Sequence, residues 1–172
     1  MSGDLIPDER GRVIIRRASL EDLDDVVTIW TDGQICQCNI PIEHEKAMGL
    51  FRGRIQSQTD CYGVWVAECD GVVVGWQSLT TGRANPTHRW AESSTYIRKE
   101  NAGRGIGRRL LTFITQHAKS VGLTHIEGFI KKENEPPIRI VESLGWTKVG
   151  DIPRAQESDP EWLYYVYAVH RG

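Results

Sequence analysis

Gly103, Gly105 and Gly107 alternate with single residues in the stretch AGRGIGRR, which also carries Arg104, Arg108 and Arg109. Residues of these types at this spacing can bind an anion. A glycine puts no Cβ between the backbone and a ligand, so peptide N–H groups can reach it. Just beyond, Ile106, Leu110, Ile114, Ala118 and Val121 recur at helical intervals, which predicts a helix entered through the glycines. The first N–H groups of a helix have no internal partners, and its aligned dipoles add partial positive charge. The arginines add full charges in the same turn. Phosphate or pyrophosphate is the ligand such a cradle would take. Neither familiar nucleotide pattern fits: no Gly-Lys-Ser/Thr follows, and the spacing is G-x-G-x-G rather than G-x-G-x-x-G. Read alone, the turn fits a tight strand-to-helix connection with solvated arginines equally well.

The elements that must position this turn can be read from period and punctuation. Ser93, Ser94, Thr95, Tyr96 and Ile97 form a β-prone run leading into it. Upstream, residues 13–17 (VIIRR) predict a strand, and Ser19 with Asp22 predicts a capping box. Leu20, Leu23, Val26, Val27 and Trp30 give a first helix that Thr31-Asp32-Gly33 should end. A second helix is expected near residues 43–58, with Met48, Phe51 and Ile55 inward. Residues 64–68 and 72–79 read as a hairpin about Asp70-Gly71, followed by the polar loop TTGRANPTHR. After the central helix, capped by Gly122, a strand is expected at 125–130 and a short helix at 134–144 with prolines in its first turn. Gly145 stops that helix, and residues 146–151 and 162–169 read as two last, paired strands. The order β-α-α-β-β-β-α-β-α-β-β predicts a mixed α/β fold with helices on both faces of the sheet.

At 172 residues the chain is expected to form one domain, residues 12–172, behind a loosely held tail of residues 1–11. A net charge of −2 argues against broad nucleic-acid or membrane affinity and makes the basic turn a local feature. The polar start MSGDLIPDERGR has no apolar run for a signal peptide, and no stretch is long enough to span a membrane. Cys36, Cys38, Cys61 and Cys69 lack C-x-x-C pairing, which predicts reduced thiols in a cytoplasmic protein and no metal site.

Over essentially its whole length the chain resembles the GNAT superfamily of N-acetyltransferases. Their acetyl-CoA signature, [Arg/Gln]-x-x-Gly-x-[Gly/Ala], is matched by residues 102–107, AGRGIG, with Ala102 in place of Arg or Gln. Their second signature is matched by residues 134–146, NEPPIRIVESLGW. Residues 90–97, WAESSTYI, are similar to the phosphinothricin and methionine sulfone acetyltransferase group, in which a Glu heads the same strand. Gly75-Trp76, Arg83 and Trp162 sit where that group has comparable residues. The resemblance implies a GNAT-like acyl-CoA N-acyltransferase fold, a mostly antiparallel sheet of about seven strands flanked by four helices. It also implies acetyl-CoA as cosubstrate, a small-molecule amine as acceptor, and a homodimer.

The site residues follow from that resemblance and from chemistry. An amine attacks an acyl group only when neutral, so a base must take its proton. Glu92 is the candidate, on the strand whose far end feeds the glycine turn; otherwise it is a strand-end carboxylate paired with Arg83, His88 or Arg89. Tyr96 or Ile97 would lend a backbone N–H to the oxyanion. Gly103, Arg104, Gly105, Ile106, Gly107 and Arg108 would hold the diphosphate, and Asn134 the pantetheine arm unless it merely caps its helix. Arg83, Trp76 and Glu92 would border the acceptor, Arg83 being suited to grip a carboxylate or phosphinate at two points. Val141 stands where many relatives carry a proton-donating Tyr. A water or a phenol such as Tyr164, Tyr165 or Tyr167 could serve instead. No Cys or Ser lies in a nucleophile motif, which predicts direct transfer in a ternary complex. Other acceptors remain open (a polyamine, an antibiotic, a protein N-terminus), as does a non-catalytic acyl-CoA sensor.

Overall fold

The computed structural model describes residues 13–38, 43–84 and 89–169, and its elements follow the predicted order. Seven strands are present: β1 (Val13–Arg17), β2 (Gly63–Cys69), β3 (Val72–Thr81), β4 (Trp90–Ile97), β5 (His125–Lys131), β6 (Thr147–Ile152) and β7 (Trp162–Ala168). They form one sheet in the order β1-β2-β3-β4-β5-β7-β6. Neighbours are antiparallel throughout except β4 and β5, which are parallel. The helices are α1 (Leu23–Cys38), α2 (His44–Gln56), α3 (Ile106–Ser120) and α4 (Glu135–Ser143). The tail of residues 1–11 and His88 lie outside the described residues.

Alternation along the strands divides the core into two layers. One face of the sheet buries Trp65, Ala67, Val74, Leu79 and Ala91 against Leu110, Leu111, Ile114 and Ala118 of α3 and Val141 of α4. The opposite face buries Val64, Val66 and Trp76 under Val26, Val27 and Ile29 of α1 and Ala47, Phe51 and Ile55 of α2. The Asp70-Gly71 turn has φ of 50° and 81°, both left-handed, as a two-residue hairpin requires. Gly122, at φ 76°, follows α3 as its left-handed terminator.

One expected boundary is wrong. The first helix does not end at Thr31-Asp32-Gly33 but runs on to Cys38. Gly33 is there for clearance: a Cβ on it would lie 2.6 Å from Cδ1 of Tyr96 on β4. The glycine lets the helix lie close on the sheet, and tertiary contact overrides the local stop signal.

The parallel pair is short. Trp90, Ala91 and Glu92 pair with His125, Ile126 and Glu127, and the ladder goes no further. β4 continues against β3 as far as Ile97 opposite Gly75, while β5 continues against β7 as far as Lys131 opposite Trp162. Each strand stays with its outer neighbour, so the sheet parts in the middle and leaves a wedge lined by backbone.

Near the start of α1, the Ser19–Asp22 capping box forms around a 3-10 turn, Leu20–Asp22. Buried Asp22 also receives Arg16 Nη1 and Nη2 at 2.8 and 2.9 Å. Those hydrogen bonds hold its carboxyl below the ordinary aspartate range. Asp22→Asn should cost about 1–3 kcal/mol of stability near neutral pH. The folded carboxyl titrates below the unfolded one, so this contribution is complete above about pH 4 and shrinks as pH falls further. Urea unfolding of both proteins near pH 7 and at about pH 3 measures it; an equal gap at the two would contradict the assignment.

Candidate active site

The glycine turn has the backbone its composition predicts. Gly103 and Gly105 have φ of 75° and 78°, and a Cβ on either would meet nothing within 4 Å. Gly105 is the N-cap of α3 and offers no side-chain cap. The first N–H to bond back along the helix is that of Arg109, to Gly105 O at 3.1 Å. The amides of Ile106, Gly107 and Arg108 therefore have no backbone acceptor among the described residues, at the positive end of the helix dipole. The Ile106 side chain is buried in the core, so only its backbone can face a ligand. Arg108 donates through Nη1 to Ser143 Oγ at 2.5 Å, tying α3 to α4, while Arg104 is exposed.

Glu92 stands at the mouth of the wedge, on the last residue β4 shares with β5. Its side chain is 13% exposed and receives Arg83 on both oxygens, Nε on Oε2 and Nη2 on Oε1 at 3.0 Å. The Arg83 guanidinium also lies 5.4 Å from the Phe129 ring centroid. The pairing with Arg83, set against the base role for Glu92 in the sequence, is thus present in the structure. The Arg83 loop is fastened from below by Glu127, which is wholly buried and opposite Glu92 in the ladder. Its carboxylate accepts the backbone N–H of Arg83, that of Ala84 (3.2 Å), and the Tyr164 hydroxyl (2.9 Å). Burial and that carboxylate push the Tyr164 phenol up to about 12. Burial and a 2.8 Å bond to Glu142 do the same for Tyr165. Sequence reasoning missed Glu127; its signal was one acidic residue inside the otherwise apolar strand HIEGFI.

Tyr96 shares the Glu92 face and stacks on Trp76, 4.8 Å between centroids. Ile97 packs on the other layer. Trp76 requires a correction as an acceptor-contacting residue. It has no exposed surface, sits 5.2 Å from the Phe51 ring, and spends its Nε1 proton on Val26 O at 3.0 Å. It can act on a pocket only through Tyr96. Asn134 precedes α4, but its side chain makes no cap hydrogen bond, so the capping alternative is not what the structure contains. Val141 is buried among the α3 contacts.

A second basic side chain reaches this face. Arg54, in the last turn of α2, is half-buried with its guanidinium carbon 5.3 Å from the Phe51 ring centroid. Burial lowers its pKa, opposed by attraction to Glu92 and reinforced by repulsion from Arg83. It lines a cavity of about 230 Å³ together with Ser57, Tyr62, Thr80 and Thr81. Thr80 is the β3 residue opposite Glu92. Among the described residues, no three His, Cys, Asp or Glu side chains are grouped as a metal ion needs, and no helix is long and apolar enough to cross a membrane.

The Glu127 anchor gives a measurable expectation. Glu127→Gln turns one acceptor oxygen into a donor that faces other donors, so the amides of Arg83 and Ala84 should exchange with solvent faster. Stability should drop by about 1–3 kcal/mol. Hydrogen exchange resolved to these residues checks the anchor, and unchanged protection at both would remove it.

Comparison with known proteins agrees with this architecture. Residues 12–147 match the acetyltransferase (GNAT) domain model. YwnH of Bacillus subtilis is 29% identical over 151 residues, 84% of this chain and 90% of that protein. The L-methionine sulfoximine/L-methionine sulfone acetyltransferase of Salmonella typhimurium is 32% identical over 103 residues, which is 59% of this chain and 60% of that protein. A GNAT superfamily phosphinothricin acetyltransferase from Sinorhizobium meliloti, solved in complex with AcCoA, superposes with a TM-score of 0.77. That structure is 19% identical, over 91% of this chain and 88% of its own, and so bears on the fold alone. With the family model covering most of its length and the parted seven-stranded sheet in place, the chain belongs to the GNAT family of acetyltransferases.

Proposed function

We propose that this enzyme moves an acetyl group from acetyl-CoA to the primary amine of an amino acid or amino-acid analogue of the phosphinothricin or methionine sulfone type. The observation that carries the reading is Glu92, an enclosed carboxylate at the point where β4 parts from β5. The residues fit the cosubstrate. Gly103 and Gly105 leave open space where a side chain would stand, and the α3 amides beyond them lack backbone acceptors. Acetyl-CoA supplies an activated acyl group to such a site.

The chain's own residues have distinct tasks. The backbone from Gly103 to Arg108, with the Arg104 charge, holds the diphosphate. The Asn134 amide and the open edge of β4 hold the pantetheine arm in the wedge. A β4 amide at Tyr96 or Ile97 donates to the acyl oxygen. Glu92 takes the proton from the acceptor ammonium, directly or through one water, so that the neutral amine can attack. Arg83 stays beside Glu92 and orients it. Val141 cannot donate a proton, and the Tyr164 and Tyr165 hydroxyls are bonded to carboxylates. Transfer is direct, in a ternary complex. The relative named for L-methionine sulfoximine and L-methionine sulfone supports the acceptor class. A cytoplasmic homodimer belongs to the same reading and rests on the resemblance alone.

Glu92→Gln should reduce turnover by about 10²- to 10⁴-fold while acetyl-CoA binds as before. Steady-state rates and calorimetric titration read the two quantities separately. Undiminished turnover would dismiss Glu92 as the base. Wild type that binds acetyl-CoA yet acetylates nothing in a broad amine panel would favour a sensor. Gly105→Val should weaken acetyl-CoA by roughly tenfold or more, because it strains a left-handed residue and fills the cradle. In the amine panel, success confined to polyamines or peptides would overturn the acceptor class.

A further inference from the structure

We infer that Arg54 binds the negatively charged group of the acceptor, a carboxylate or its phosphinate equivalent, and so selects amines that carry one. The inference deepens the proposed function and rests on it. It begins with an account of donors. Arg83, the residue the sequence points to for this task, has Nε and Nη2 committed to the two oxygens of Glu92. Arg98 is committed to Asp25 and to Val73 O. Arg54 makes no hydrogen bond or ion pair with any described residue. The Arg54 guanidinium is thus not committed to another described side chain, and its planar fork of donors suits a carboxylate or phosphinate.

Position supports the same assignment. Arg54 lines the cavity with Ser57, Tyr62, Thr80 and Thr81, and Thr80 joins that cavity to Glu92 through the β3–β4 ladder. An anion at Arg54 would seat the acceptor in the cavity whose Thr80 stands opposite Glu92. The volume of about 230 Å³ lies below the roughly 300–1,000 Å³ of drug-sized pockets, which suits a small acceptor. The Arg54 site in the last turn of α2 accounts for a positive charge, since cations are favoured at helix C-termini. It does not account for an arginine placed in the lining of a cavity with Ser57, Thr80 and Thr81. A lysine would serve the helix end equally well, and this separates the two roles.

The test is steady-state kinetics on wild type, Arg54→Met, Arg54→Lys and Arg83→Met. Each is given methionine sulfone and its carboxamide, acceptors with the same amine and side chain. In Arg54→Met, KM for the carboxylate acceptor should rise about 10- to 100-fold, while KM for the carboxamide and for acetyl-CoA stays as in wild type. Arg54→Lys should recover only part of the loss, and Arg83→Met should leave the carboxylate preference in place. Circular dichroism verifies folding in each variant, and the carboxylate preference is read as the ratio of the two KM values within that variant. The inference is overturned if Arg54→Met changes KM for both acceptors alike or for neither. Loss of the preference in Arg83→Met would also overturn it. Failure of the proposed function looks different: wild type then acetylates neither acceptor, and the Arg54 assignment goes with it. An active wild type whose carboxylate preference survives Arg54→Met sinks the inference alone.

Discussion

The site depends on a parallel ladder that stops after three residue pairs. A strand inside a sheet normally has both rows of backbone groups paired, and leaving one open away from water is unfavourable. β4 is kept in place beyond the parting by its other edge, where it stays antiparallel to β3 to the end. Buried Gln77 reinforces that edge, donating to Ser93 Oγ at 2.6 Å and accepting from the Thr95 hydroxyl. These side chains lie on the α3 face, opposite Glu92. The open edge can thus take an extended ligand without any movement of β4. One strand thereby carries both Glu92, the proposed base, and a line of open backbone groups.

Much of this was legible in the sequence, because it rests on local chemistry. The succession of elements along the chain, the Ser19–Asp22 box, the Asp70-Gly71 turn and the Gly122 terminator are each decided by a few consecutive residues. The glycine turn was legible for the same reason. What stayed hidden was set by register between distant segments. Glu127 is opposite Glu92 only because two strands 35 positions apart align. Arg54 reaches the Glu92 face only because α2 packs across β2 and β3. Trp76 looked like a pocket wall until the depth of the Phe51 and Tyr96 contacts was known. Gly33 carried a stop signal that the close approach to Tyr96 overrode.

The electrostatics around Glu92 are graded in burial. Glu127 is wholly enclosed and accepts from three donors, which makes it the anchor of the Arg83 loop. Glu92 is mostly enclosed and holds an arginine whose side chain is 73% exposed. An ion pair with one partner so exposed adds little to the stability of the fold. Arg54, on the same face, would under the inference above meet the anionic end of the acceptor.

The two departures from the family signatures both fall on side chains. Ala102 cannot make the contact an Arg or Gln would make, and Val141 cannot give up a proton. Neither touches the peptide groups of residues 103–108 or the open edge of β4, which depend on left-handed glycines and on where a ladder ends. Backbone donors are fixed by the fold, so a substitution beside them alters affinity by the worth of one contact rather than abolishing the cradle. Proton delivery is likewise replaceable, because the carrier's thiol is acidic enough to leave as a thiolate and take its proton from water. Proton removal from an ammonium is not replaceable at neutral pH in the same way. In the proposed mechanism Val141 at the Tyr position is therefore tolerable, whereas the carboxylate at the parting of the strands has no such substitute.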